Sequence, residues 1–322
     1  MIDPALLALL RCPASGLTLR QQGLKLVSAD DGHEYAIASG IPCLIASGLA
    51  PTHGNYTPLI EHSSKLAGEP FLAADTQLIE YLNGMLVPTC GNLFRGVTVS
   101  SLDCLPIPPS ECFASPMLDI GCNWGRWTIA AARAGVRVIG VDIHLEGLLY
   151  AQQLARRLAP ADNQPQFVLA DARKLPFAPS SFATTFSYSV VQHFSRPNAA
   201  AILSEVGRVT RPGGRSLVQM PNVRSIRGVI DRTARLTRKP AEFDVRYYRI
   251  EELIELFDRT IGRSSWSVDC YLGLNVHGYS RNLINPRRRW IVDLAEWLAR
   301  RSAEAPWLGR FADSVWLSSV RT

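Results

Sequence analysis

At 322 residues, with 47% hydrophobic content and a net charge of +6, the chain is long enough to bury a full core and to carry a second small module. Its longest apolar runs, such as Ala5 to Leu10, fall far short of the roughly 20 residues a membrane-spanning helix requires, and Met1-Ile2-Asp3-Pro4 sets an acid and a proline where a signal peptide sets positive charge. A cytoplasmic protein with no membrane span is therefore expected; the seven scattered cysteines do not suit a disulfide framework, and the charge, carried by arginine with only four lysines, is too diffuse to demand an anionic partner.

Residues 1–48 read as a small β module, with a helix start at Pro4 to Leu10 and short runs parted by Gly16, Gly23, Gly32 and Gly40. Residues 49–115 read as a linker and N-terminal helices. The stretch Ala50 to Gly68 is rich in Pro, Gly, His, Ser and Thr, and the spacing from Phe71 to Leu86 predicts a helix with Leu72, Leu78, Ile79, Leu82 and Leu86 on one side. Pro106, Pro108, Pro109 and Pro116 then punctuate a loop.

From residue 116 to 322 strand and helix patterns alternate. Strands are expected at 117–121, 137–142, 166–171, 182–189 and 215–221, and helices near 125–134, 145–159, 197–210 and 249–258. A late strand at 266–272, a helix at 287–302 and a last strand at 314–321 would close one edge as an antiparallel pair. The expected fold class is α/β: a Rossmann-like, mostly parallel seven-stranded sheet with helices on both faces. Arg287-Arg288-Arg289, beside Trp290, reads as a solvated helix face in preference to a phosphate site.

Open parallel sheets bind ligands at the carboxyl ends of their strands, where the strand order reverses. Here the first strand of the sheet ends at Gly121 and the second at Asp142. An acid about 20 positions beyond a glycine loop is placed to bind the two hydroxyls of a ribose. A dinucleotide site wants a middle glycine to bring backbone amides onto a pyrophosphate, and Gly121-Cys122-Asn123-Trp124-Gly125 has Asn there. That favours a nucleoside ligand without pyrophosphate. Asp119, two residues before the loop, is placed to meet an amino group, and Asp171, at the end of the third strand, to accept from an adenine amino group. Each acid alone is as well explained by a loop cap or helix cap. Three acids at three successive strand ends point to S-adenosyl-L-methionine.

The segments LDIGCNWGRWTIAAA, VIGVD, FVLADARKLPF, SFATTFSYSVVQHF and EVGRVTRPGGRSLVQMPN resemble the successive motifs of the class I S-adenosylmethionine-dependent methyltransferases, in the subgroup related to the ubiquinone and menaquinone methyltransferases. The resemblance covers about residues 80 to 260. It implies that Asp119, Gly121, Cys122, Asn123 and Gly125 meet the methionine part of the cofactor, Asp142 and Ile143 the ribose, and Asp171 with Ala172 the adenine. It sets the turn after strand four, Ser187 to Phe194, beside the transferred methyl group, with Ser187 and Tyr188 as cofactor contacts and Tyr188 and Gln192 as secondary candidates for substrate contact. His193 is the expected general base, since imidazole titrates near neutral pH; the alternative is that it only bonds the turn. Trp124 is expected either to line the substrate mouth or to pack under the loop. Arg246 and Tyr247, in a substrate-cover insertion at about 222–250, are further substrate candidates, and Arg196 is a secondary one.

Cys12-Pro13, Gly32 to Ile37 and Gly40-Ile41-Pro42 resemble the small Trm112-like zinc ribbon. A structural zinc takes four ligands, usually two C-x-x-C pairs. Here the four places fall on Cys12, Ser15 and, nearby, Ser28 and Asp31, with His33 adjacent. A degenerate, metal-free ribbon is expected, used for packing, substrate cover or a homodimer contact. The function expected is methyl transfer to a small-molecule hydroxyl. RNA methylation is the alternative, disfavoured because basic and aromatic residues form no interleaved stripe; a non-catalytic cofactor-binding scaffold is the third reading.

Overall fold

The computed structural model describes residues 1–46, 61–63, 65, 70–109, 113–225, 228–229, 233, 245–273 and 275–322. The expected linker from Ala50 to Gly68 and most of the expected insertion at 222–250 therefore lie largely outside the described residues.

The strands of the parallel half are short, apolar and buried on both faces: β5 (Met117–Ile120), β6 (Val138–Asp142), β7 (Gln166–Ala170) and β8 (Phe182–Ser187). Such runs settle as central strands when helices can cover both sides. They are joined by α3 (Arg126–Arg133) and α4 (Leu145–Leu158), and α5 (Arg196–Val209) leads from β8 to β9 (Thr210–Pro221). After α6 (Ile250–Thr260), β10 (Ser264–Cys270) and β11 (Ser314–Val320) complete that end, with α7 (Arg289–Glu304) and the short α8 (Pro306–Gly309) between them. β9, β11 and β10 pair antiparallel in that order, as the late-strand pattern predicts. Arg287 and Arg288 are exposed, ahead of α7.

The sheet is larger and more mixed than expected, with eleven strands in the order β1-β2-β3-β4-β7-β6-β5-β8-β9-β11-β10. The seven expected strands are all present, but four more join them. After α1 (Pro4–Leu9), β1 (Leu19–Gln22), β2 (Lys25–Ser28), β3 (Glu34–Ala38) and β4 (Ile41–Leu44) form an antiparallel ladder. β4 is buried throughout and continues the sheet by pairing parallel with β7, Cys43 against Leu169 and Leu44 against Ala170. Leu10 and Phe177 bridge the same seam.

Helix α2 (Asp75–Cys90) buries Leu78, Leu82, Leu86 and Cys90, one per turn. It starts later than the periodicity suggested. Gln77 caps the backbone of Ala74, which leaves Leu72 outside the helix and 72% exposed, not on its apolar face. Among the described residues no helix is long and apolar enough to cross a membrane.

Candidate functional site

β6 and β8 flank β5, and the chain order runs outward in both directions from there. The crevice at the carboxyl ends of these strands is where such a sheet takes a ligand. The loop Gly121 to Gly125 occupies it. Gly121, Asn123 and Gly125 all have left-handed backbone, with φ of 78°, 45° and 81°. Asparagine is among the few non-glycine residues that tolerate this conformation, so Asn123 preserves the turn that a middle glycine would otherwise make. A Cβ on Gly121 would sit 2.2 Å from Val190 Cγ2, so the loop lies flat against the turn after β8.

All five backbone N–H groups of the loop are engaged internally. Gly121 and Cys122 donate to Val141 O (2.7 and 3.0 Å), Asn123 to Asp142 Oδ2 (2.8 Å), Trp124 to Asn123 Oδ1 (2.8 Å) and Gly125 to Cys122 O (2.8 Å). None is left to cradle a pyrophosphate. The other Asp142 oxygen accepts from His144 N at 2.8 Å. Each carboxylate oxygen holds a second lone pair, so Asp142 still has capacity for two ribose hydroxyls. Ile143 follows it, half-buried.

Asp119 is 2% exposed and accepts from Thr128 Oγ1, in the first turn of α3, at 2.6 Å. Burial pushes its carboxyl up to about 7, against the Thr128 hydrogen bond and with the charge of Asp142 adding to the rise. Asp142 is also raised by burial, against the N–H groups of His144 and Asn123.

Asp171 departs from expectation. It is buried, and a carboxylate there needs a compensating charge. Arg173 supplies it, with Nη2 2.7 Å from Oδ2, Nε 3.0 Å from Oδ1 and its own backbone N–H 2.8 Å from Oδ1. The expected open acceptor for adenine is thus a closed ion pair. Ala172 beside it is half-buried.

Trp124 takes the second of its two expected placements, packed under the loop. It is 1% exposed and its Nε1 donates to Thr89 Oγ1 on α2 at 3.0 Å. A mouth residue would meet solvent; Trp124 instead locks the loop to α2. Ser187 is buried and donates to Ile120 O at 3.0 Å, tying β8 to β5. Tyr188 turns its hydroxyl to Asp269 and His277.

The turn after β8 is joined by the later segment. Arg246 donates its backbone N–H to Gln192 O (2.8 Å) and its guanidinium to His193 O, which brings three candidates together. Gln192 is buried, donates to Ser189 Oγ at 3.1 Å and leaves Oε1 without a partner among the described residues. The His193 ring is half-exposed, with Nε2 3.4 Å from Gln192 Nε2. Tyr247 is also half-exposed. Arg196 pairs with Glu252 at 3.5 Å and lies over the Tyr248 ring, 4.8 Å from its centroid.

Several contributors carried no sequence signal. Tyr81, on α2, stacks on Tyr150 at 3.9 Å and leaves its hydroxyl buried without a partner among the described residues, beside Gly147 and near Asn123. Arg126, directly after the loop, is buried and donates to Pro106 O (3.0 Å), Thr89 O (3.1 Å) and Tyr279 Oη.

In the front ladder, Cys12 Sγ lies 3.2 Å from Tyr35 Oη. Burial acts to raise the Cys12 thiol, but hydrogen bonds from Ser15 and Tyr35 leave it lowered. Ser15 also holds the Asp31 carboxyl at about 2. Two of the four ribbon positions thus share the hydroxyl of a third, a donor set of thiol, hydroxyls and carboxylate that suits hydrogen bonding better than zinc.

Residues 117–214 match the family model of a methyltransferase domain. A biotin biosynthesis bifunctional protein of Cellvibrio japonicus is 36% identical over 39% of this chain and 23% of its own length. A ubiquinone biosynthesis O-methyltransferase of Paracidovorax citrulli is 32% identical over 30% of this chain and 40% of its own. The chain thus spans less than half the length of these relatives. A methyltransferase structure from Methanosarcina mazei aligns with a TM-score of 0.39 and 25% identity, over 48% of this chain and 80% of that one.

Proposed function

We propose that this chain, whose residues 117–214 match the family model of a methyltransferase domain, is a class I S-adenosyl-L-methionine-dependent methyltransferase acting on a hydroxyl of a small molecule. The observation that carries the reading is the loop in which every N–H is already bonded, one of them to the acid that ends β6. Such a loop presents shape and a ribose acceptor while offering no anion nest, and so suits a nucleoside carrying no phosphate. Bound there, S-adenosyl-L-methionine supplies an electrophilic methyl group on a sulfonium centre.

The chain's own residues fit that ligand. Asp142 accepts from the ribose hydroxyls, with Ile143 beside it. Asp119, buried beside the loop at the end of β5, offers its charge to the ammonium of the methionine part. Gly121, Cys122, Asn123 and Gly125 form the floor, and the orphaned Tyr81 hydroxyl gains a polar partner. Because Arg173 closes Asp171, the backbone at Ala172 takes over the adenine edge. The turn from Ser187 through Tyr188, Gln192 and His193, with Arg246 and Tyr247 docked on it, forms the acceptor side, and orientation there with exclusion of water supplies much of the rate. Residues 1–48 serve as a packing element of the body at 116–322, with the insertion at 222–250 as its cover.

Calorimetry with S-adenosylhomocysteine, NAD and ATP tests the cofactor. Binding of the first alone is expected, and tighter binding of NAD overturns the reading. Labelled methyl transfer into a cell extract divided into small-molecule, RNA and protein fractions tests the acceptor, with label expected in the first; label in the RNA fraction favours the alternative, and a protein that binds but transfers nothing is the scaffold.

A further inference from the structure

A second polar cluster stands on the same carboxyl rim, and much of it comes from residues beyond the matched stretch. Asp269, near the end of β10, is buried. Its carboxylate accepts from Ser314 Oγ at 2.6 Å and from Tyr188 Oη at 3.1 Å, and lies 3.4 Å from His277 Nε2. His277 Nε2 is in turn 2.8 Å from Tyr188 Oη. The three side chains close a triangle one residue beyond Ser187, which pairs with Ile120 just before the glycine loop. The His277 side chain is 16% exposed and so is the member of the triangle that reaches outward; its ring stacks on Tyr279 at 5.3 Å.

The network assigns the protons. Tyr188 has one proton to donate, and it donates it in the hydrogen bond to the Asp269 carboxylate, which can only accept. Tyr188 Oη then accepts from Nε2–H of His277, and Nδ1 is left as a bare lone pair with no hydrogen-bond partner among the described residues. An imidazole held in one tautomer by a buried acid is the arrangement that makes histidine a base. The groups facing it are Asp269 and Glu296, which favour its charged form, and Arg126, which with burial disfavours it. Burial dominates and holds the ring below its ordinary range, neutral at pH 7.

We propose that His277, positioned by Asp269 and Tyr188, takes the proton of the methyl acceptor, and that the acceptor is a planar molecule with a hydroxyl of phenolic acidity; this rests on the methyltransferase reading above. The surroundings select that class. Trp127 and Trp316 ring centroids lie 5.0 and 5.2 Å from that of Tyr188, and Trp127 Nε1 is a buried donor without a partner among the described residues. The Arg126 guanidinium lies over Trp127 and Tyr279, at 5.6 and 5.5 Å, where it favours negative charge growing on an aromatic oxygen. A neutral imidazole can share the proton of a phenol, which titrates near 10. It is badly mismatched to an aliphatic hydroxyl of water-like acidity, near 15.7. As the acceptor oxygen bonds to the methyl carbon, the carbon–sulfur bond breaks with its electron pair left on sulfur. The acceptor proton passes to Nδ1, giving an imidazolium that then loses it to solvent.

The test uses the full chain, with S-adenosylhomocysteine as binding probe and para-substituted phenols, with the matching cyclohexanols and anilines, as acceptors. The native chain is expected to methylate the phenols alone. His277→Gln should bind S-adenosylhomocysteine within twofold of native, lose about 10²- to 10⁴-fold in transfer at pH 7, and recover with rising pH or with phenols acidic enough to arrive ionised. Nitrogen-15 shifts of the native His277 ring should show protonated Nε2 and bare Nδ1, which settles the tautomer even where the variant fails to fold. A protonated Nδ1, an unchanged rate and pH profile in His277→Gln, loss of the pH dependence in His193→Gln instead, or transfer only to cyclohexanols or anilines overturns the proposal. Failure of the native chain to bind S-adenosylhomocysteine overturns the methyltransferase reading itself, a distinct result.

Discussion

Replacing Asp119 by Asn should stabilise this protein while disabling it, and the pH dependence of the gain separates this account from simple repacking. The carboxyl is 2% exposed, has one hydrogen bond from Thr128 at 2.6 Å and is pushed by burial to about 7 from an ordinary 3.8. The folded state therefore keeps the proton over a pH range in which the unfolded chain has lost it. Stability falls as pH rises from near 4 to near 7 and is level above that. A gap of about 3 units corresponds to about 4 kcal/mol at most, a large part of the 5–15 kcal/mol typical of a whole domain. Asparagine keeps an oxygen for the Thr128 hydroxyl and carries no charge. Urea unfolding followed by circular dichroism should find Asp119→Asn more stable than the native chain at pH 8, with an advantage about 3 kcal/mol larger than at pH 5. The same variant should lose affinity for S-adenosylhomocysteine, whose ammonium has no carboxylate left to meet, and native affinity should fall about tenfold per pH unit below 7. A difference in stability that does not change with pH, or a variant less stable at pH 8, refutes the reasoning.

Gly121→Ala, which sets a Cβ 2.2 Å from Val190 Cγ2 at a φ of 78°, should abolish S-adenosylhomocysteine binding by calorimetry and lower the melting temperature; Val190→Ala in the same chain should restore part of both. Arg173→Met takes the guanidinium away from the buried Asp171 carboxylate and should cost about 3–5 kcal/mol in urea unfolding at pH 7, less as acid protonates the carboxyl. Trp124→Phe removes the hydrogen bond to Thr89 and should cost about 1–2 kcal/mol with the acceptor KM unchanged; a shifted KM would return Trp124 to the substrate mouth.

The central body was legible because each of its elements announces itself locally. β5 to β7 are apolar runs bounded by Gly, Asp and Pro, and the helices between them begin and end within a residue or two of where the spacing predicts. What escaped depends on partners far apart in the chain. Whether Trp124 faces a ligand or the core is decided by Thr89, 35 residues earlier on α2. Asp171 looked open because the Arg two positions on could equally have pointed to solvent; only its burial forces the pair. Asp269 and His277 sit on a late strand and the loop beyond it, with no spacing rule connecting them to Tyr188. In the front ladder, the turns at Gly23, Gly32 and Gly40 were visible, but no local pattern says which edge of which sheet a strand such as β4 will join.

That junction sets how the protein can be taken apart. Without β4, strand β7 would present Phe167-Val168-Leu169-Ala170 as a bare edge, apolar and lined with unbonded N–H and C=O groups. Edges of that kind recruit strands from neighbouring molecules. Removing the first 46 residues should therefore promote self-association of the remaining chain, with the rim around the glycine loop unchanged.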